Sequence, residues 1–193
     1  MRATLLDWLP ADLSGRSLLD AGCGTGALAV EAALRGARVV AIDLSPTLVG
    51  LARDRVPAEL RVDSGSGRGS IEFLSGDMLD PALGEFDHIV GMDSVIHYDK
   101  ADVVRVLGGL AERTRTSMLF TFAPKTPILG TMITLGRLFP RKDRAPFIVP
   151  LGERGLRQAI DGAPALAGWT TQRTQRISSG FYTSQALELV RSK

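Results

Sequence analysis

Apolar residues along this chain come in short runs set between longer stretches with helical spacing. SLLDAG (17–22), RVVAID (38–43), IEFLSGD (71–77), FDHIVGMD (86–93) and SMLFTFAP (117–124) read as strands. The second is near-continuously apolar, as a strand buried on both faces of a parallel sheet should be. Helices are expected over residues 2–9, which Pro10 ends, and over 26–36, with Gly36 at the C-terminal cap. A third is expected over 45–56, where Ser45 is the N-cap and Pro46 the first helical residue. KADVVRVLGGLAERT (100–114) and LGERGLRQAID (151–161) are two more, and the tail from Gly168 alternates enough to supply two final strands. Residues 126–140 are apolar with helical spacing, and Arg61–Ser70 is a Gly/Ser-rich loop. Strands alternating with helices predict an α/β fold, a doubly wound, Rossmann-like and mostly parallel sheet of seven strands with helices on both faces.

Composition narrows the class. The 193 residues suit one domain over 1–193, and 45% hydrophobic with 23% charged residues is ordinary for a globular chain. A net charge of +2 gives no reason to expect a nucleic-acid partner. The only cysteine, Cys23, cannot close an intrachain disulfide, which suits a reducing, cytoplasmic setting. No stretch reaches the roughly 20 apolar residues that span a bilayer.

Candidate chemistry centres on LLDAGCGTGALAV (18–30), where a strand turns through Gly22, Gly24 and Gly26 into a helix. Gly22 permits the tight turn, Gly24 lets backbone approach a ligand, and Gly26 lets helix and strand lie close. The helix N-terminus adds N–H groups facing the same cleft. Right-handed crossovers put this loop at the switch point of the sheet, so an adenosine-type cofactor is expected there. The glycines alone also satisfy a looser dinucleotide pattern. Two features tilt against it: Asp20, just ahead of the loop, where a carboxylate repels a pyrophosphate and attracts an ammonium group, and the acid and apolar side chain of Gly76-Asp77-Met78 after the third strand. Cys23 is read as a small residue packed in the turn, since no base lies beside it in sequence.

The register D-x-G-x-G-x-G, then Asp43 closing the second strand, then Asp77 after the third, resembles the class I S-adenosylmethionine methyltransferases over residues 15–125. That resemblance implies S-adenosylmethionine as cofactor, with S-adenosylhomocysteine as product. Asp20 and the loop (Gly22, Cys23, Gly24, Gly26) would hold its methionine part. Asp43 would take the ribose hydroxyls, Leu44, Asp77 and Met78 the adenine, and Asp93 would line the cleft.

Four further strings, GMDSVIHY (91–98), TFAPKTP (121–127), LFPRKDRAP (138–146) and SGFYTSQALE (179–188), resemble the magnesium-protoporphyrin O-methyltransferases of chlorophyll and bacteriochlorophyll synthesis. The resemblance implies methylation of a propionate of magnesium protoporphyrin IX, with no protein-bound metal, because the magnesium belongs to the substrate. It gives a catalytic place to His97, with Tyr98 next to it. Adjacent side chains point apart, so both facing the substrate is not expected. Ser94, Lys125, Arg141 and Arg144 are the candidate substrate contacts, the cations pairing with a propionate. Residues 124–150 are expected to form a cover over the flat apolar macrocycle. Its basic run also suits peripheral contact with an anionic photosynthetic membrane, and the resemblance adds magnesium chelatase as a partner. The family has an arm ahead of the helix that begins here at Met1, so low turnover is expected of the chain as written. A methyltransferase for another small acid or a quinone-like ring, a non-catalytic cofactor-binding protein, and a nicotinamide enzyme are the alternative readings.

Overall fold

The computed structural model describes residues 1–61, 69–125, 148–179 and 182–192. The expected apolar runs become β1 (Ser17–Ala21), β2 (Arg38–Asp43), β3 (Ser70–Ser75), β4 (Phe86–Gly91) and β5 (Thr114–Phe122). Helix α1 (Arg2–Trp8) precedes β1, and α2 (Ala27–Leu34), α3 (Pro46–Asp54), the single turn α4 (Ala58–Arg61) and α5 (Lys100–Ala111) connect the strands. Helix α6 (Glu153–Asp161) leads into the hairpin of β6 (Trp169–Ser179) and β7 (Tyr182–Arg191).

The caps explain several boundaries. Ser45 Oγ accepts the Leu48 N–H at 3.3 Å to start α3, and Asp99 Oδ1 accepts the Asp102 N–H at 2.9 Å to start α5. Gly36, at φ +95°, takes the left-handed position after α2. The fifth strand differs from expectation: α5 stops at Ala111 and β5 starts at Thr114, ahead of the apolar run. Pairing of Thr114 with Phe86, and a hydrogen bond from Thr114 Oγ1 to the Leu110 carbonyl at 2.7 Å, extend the strand over residues whose pattern is polar.

The strands form a sheet in the order β3-β2-β1-β4-β5-β7-β6. The first five run parallel, and β7 lies antiparallel to both β5 and β6. Two apolar layers hold it. Leu18, Val39, Val90 and Leu119 pack toward α1 and α2, while Leu19, Ile89, Met118 and Leu187 pack toward α5 and α6. Alternate residues of each central strand thus face opposite layers, so both faces are dry. Burying each such side chain contributes about 1.5–3 kcal/mol before entropy is counted. The order reverses between β1 and β4, which opens a crevice at the C-terminal ends of these strands, where ligands bind in such sheets.

Candidate active site

The loop after β1 is tied to the end of β2. Gly22 and Cys23 both donate backbone N–H groups to the Ile42 carbonyl, at 2.9 and 3.0 Å, and Gly24 donates to Asp43 Oδ2 at 2.9 Å. Asp43 Oδ1 accepts the Ser45 N–H, also at 2.9 Å. One carboxylate therefore fixes the glycine loop and the turn into α3, and each oxygen keeps a second lone pair for a ligand hydroxyl.

All three loop glycines have positive φ, at 83°, 54° and 76°. Their surroundings differ. A Cβ at Gly24 would meet nothing within 4 Å, so this backbone faces open space where a ligand can lie against it. At Gly22 it would reach 2.5 Å from Ser94 Cβ. At Gly26 it would strike the Phe73 ring at 2.8 Å and Ala52 Cβ at 3.0 Å. The closest approach at Gly26 is thus to β3 and α3.

Asp20 is fully enclosed beneath the loop. Its Oδ2 has no hydrogen-bond partner, while the Ala29 N–H, in the first turn of α2, points to the carboxylate. Burial, reinforced by the charge of Asp43, pushes its pKa up to about 7 against the effect of that amide. The acid expected to face the ligand thus sits behind the loop and takes up one of the amides of the helix terminus. Cys23 is buried, and desolvation beside Asp20 and Asp43 pushes its thiol up to about 12, where it is a poor nucleophile.

Around the rim, Leu44 is 75% exposed directly after Asp43, an apolar side chain without an apolar cover. Asp77 Oδ1 accepts the Leu79 N–H at 2.9 Å in a local turn, and Met78 is half-buried against the core layer near α5.

The β4–α5 loop carries the next candidates. Ser94 Oγ is buried without a partner, wedged against Gly22 of the cofactor loop and Gly91 at the end of β4. Tyr98 is half-buried against the apolar layer containing α5, while His97 is exposed. Lys125 is exposed just beyond β5, its N–H bonded to the Leu151 carbonyl at 3.0 Å. Arg141 and Arg144 lie outside the described residues, as does most of the expected cover over 124–150. Its two ends are described and adjacent: Val149 donates to the Ile96 carbonyl at 2.8 Å, beside His97, and Leu151 to the Ala123 carbonyl at 2.8 Å.

A polar cluster went unnoticed in the sequence. Asp93 has φ +57°, which no other non-glycine described residue matches in sign. Its N–H donates to Thr121 Oγ1 at 2.8 Å, and Asp93 Oδ1 accepts from Thr121 Oγ1 at 2.8 Å and Ser184 Oγ at 3.3 Å. On the opposite face of β7, Gln185 Nε2 donates to Glu153 Oε2 at 2.6 Å, and Arg157 bonds the other Glu153 oxygen at 3.1 Å. These hydrogen bonds outweigh burial and hold the Glu153 carboxyl below its usual range. The signal available was polar residues at inward positions of the otherwise apolar runs SMLFTFAP and YTSQALELV.

Known proteins place this arrangement. A family described as magnesium-protoporphyrin IX methyltransferase C-terminus matches residues 91–191, and a general methyltransferase domain matches 18–116. A magnesium-protoporphyrin O-methyltransferase from Rhodobacter capsulatus is 47% identical over 97% of this chain and 78% of its own length. The chain belongs to the magnesium-protoporphyrin O-methyltransferase family. Its counterpart in Synechocystis is 30% identical over 98% of this chain and 79% of its own. The crystal structure of the Synechocystis magnesium protoporphyrin IX methyltransferase with bound S-adenosylhomocysteine superposes with a TM-score of 0.79 at 29% identity, covering 99% of this chain and 82% of that one. The sheet and its glycine loop are those of a class I methyltransferase, as the motif register implied. Among the described residues, no helix is long and apolar enough to cross a membrane.

Proposed function

We propose that this methyltransferase transfers the methyl group of S-adenosylmethionine to one propionate of magnesium protoporphyrin IX, yielding the monomethyl ester and S-adenosylhomocysteine. The observation that carries the reading is the 47% identity to the Rhodobacter capsulatus enzyme across 97% of the chain. The residues fit the cofactor: Gly24 backs onto open space, Leu44 stands uncovered beside Asp43, and Asp20 Oδ2 lacks a partner beneath the loop. When bound, S-adenosylmethionine supplies an electrophilic methyl carbon on a good leaving group.

Asp43 holds the ribose hydroxyls through its remaining lone pairs. Leu44 and Met78 border the adenine, with Asp77 at its edge. Asp20 lends negative charge beneath the methionine ammonium, acting through the loop that contains Cys23. The acceptor propionate, with a pKa of about 4–5, is already ionised at neutral pH, so no strong base is needed. Its oxygen forms the new C–O bond as the C–S bond breaks, the electron pair passes to sulfur, and no proton moves. His97 orients that carboxylate as an N–H donor, and alignment with loss of water supplies the rate.

The second propionate pairs with Lys125, Arg141 and Arg144, and residues 124–150 cover the macrocycle within a single domain. The adjacent ends of this segment beside His97 support that role. The basic run also rests on an anionic membrane surface and lies near magnesium chelatase, which would hand over the substrate. Charge reversal at Arg141 and Arg144 that leaves porphyrin affinity, liposome binding and chelatase co-sedimentation unchanged removes the run from this account. The central test is a mass spectrum of magnesium protoporphyrin IX after incubation with the chain and S-adenosylmethionine. Addition of one methyl group is expected; an unchanged porphyrin alongside a methylated quinone-like or small-acid substrate overturns the proposal.

A further inference from the structure

The Asp93 turn is held from outside its own loop. A non-glycine residue persists at a positive φ only where its surroundings over-determine it, and such positions gather at functional sites. Here the surroundings are two buried hydroxyls on neighbouring strands, Thr121 on β5 and Ser184 on β7. Thr121 both accepts the Asp93 N–H and donates to Oδ1, so this hydroxyl fixes the backbone and the side chain of the same residue. Ser184 donates to the same oxygen from the other side. Threonine and serine in these strands bury polar atoms where an apolar side chain would pack as well, and both spend their hydroxyls on Asp93.

Three contacts follow in the next few residues. Ser94 seats against Gly22 of the cofactor loop, the Ile96 carbonyl receives the Val149 N–H, and His97 follows, exposed. The backbone direction chosen at Asp93 therefore sets where the cofactor loop, the chain at Val149 and His97 stand relative to one another. We propose that Thr121 and Ser184 are positioning residues: by locking the left-handed Asp93 turn they align the methyl donor with the acceptor carboxylate. This rests on the methyl-transfer reading above. An in-line displacement tolerates little misalignment, and a shift near 1 Å costs on the order of 100-fold in rate.

Thr121→Val keeps the shape and loses both hydrogen bonds, Thr121→Ser keeps the hydroxyl, and Ser184→Ala removes the second donor. The expected result is a kcat reduced about 10-fold or more in Thr121→Val, less in Ser184→Ala, with KM for both substrates within about twofold and Thr121→Ser restoring most of the rate. Hydrogen exchange supplies a readout independent of turnover. Amides of residues 92–98 should exchange faster in Thr121→Val while those of β1 and β4 stay protected. Loss of rate accompanied by general loss of protection overturns the idea, because the hydroxyl then only supports the fold. So does a Thr121→Val enzyme with full kcat. If the wild-type chain fails to methylate magnesium protoporphyrin, the substrate reading falls. The clamp is then judged by exchange alone: unaltered protection of 92–98 in Thr121→Val rejects it, and selective loss there upholds it.

Discussion

Ser94 occupies the space a side chain at Gly22 would need: a Cβ built on Gly22 lies 2.5 Å from Ser94 Cβ. The cofactor loop and the loop that carries His97 are thus in direct contact through a missing methyl group. Gly22→Ala must accept both a left-handed backbone, costing about 1–2 kcal/mol, and displacement of the Ser94 backbone. Gly24→Ala has the same backbone strain and no clash within the protein. Thermal unfolding should show Gly22→Ala as the more destabilised variant. Calorimetry with S-adenosylhomocysteine should show Gly24→Ala losing affinity out of proportion to its loss of stability. Equal stability losses with equal affinity in both would mean the loop does not cradle a ligand at Gly24.

Asp20 makes cofactor binding and stability depend on pH in opposite directions. Its pKa is about 7 in the folded chain against 3.8 ordinarily, because burial disfavours the carboxylate. The native state therefore keeps a proton that the unfolded chain has released, and stability falls as pH rises from about 4 toward 7. A cationic ligand above the loop favours the ionised form, so affinity for S-adenosylmethionine should rise between pH 6 and 8, and binding near pH 7 should release protons. Asp20→Asn should flatten both dependences. Calorimetry in buffers of different ionisation enthalpy measures the release directly; none at pH 7 would show that Asp20 does not sense the ligand.

His97 separates orientation from base catalysis. The side chain is exposed, and the acceptor is a carboxylate that needs no deprotonation. Orientation needs only an N–H donor, which the imidazole supplies. His97→Ala should lose about 10–100-fold in kcat/KM, and His97→Asn, which keeps a donor, less. A kcat that vanishes in His97→Asn as fully as in His97→Ala would make His97 a base.

Much of this molecule was legible from local pattern. The strands were apolar runs, the caps were Ser45 and Gly36, and the cofactor register lay in residues confined to one loop and the ends of two strands. What escaped depends on the directions side chains take once strands pair. Asp20 adjoins the loop in sequence, and its full burial with the Ala29 N–H of α2 aimed at it shows only once β1 takes its place in the sheet. Thr121 and Ser184 looked like ordinary strand residues, and their partner Asp93 lies on a third element, 28 and 91 residues away in the chain. Such long-range polar pairing leaves no local periodicity to read.

The C-terminal hairpin and α1 are joined by one buried charge, Glu188, whose side chain is 4% exposed. Arg173 grips it with Nε and Nη2, at 2.6 and 2.5 Å, while Nη2 also donates to the Trp8 carbonyl at 2.8 Å and the guanidinium lies 5.2 Å from the Trp8 ring centre. The carboxylate holds the Arg173 pKa above its usual value. Removing one partner of a buried pair strands the other, at a cost of about 3–5 kcal/mol, whereas exposed pairs contribute about 0–1 kcal/mol. Arg173 is half-exposed, so Arg173→Met should fall near the lower end of the buried range in urea unfolding. The double variant Arg173→Met, Glu188→Leu should recover much of that loss, because it buries an apolar side chain in place of an orphaned charge. A loss under about 1 kcal/mol in the single variant would place the pair with ordinary surface ion pairs. Helix α1 would then be held by Leu5 and Leu6 in the apolar layer, with the Arg2–Glu31 pair and the Arg35 bond to the Leu6 carbonyl.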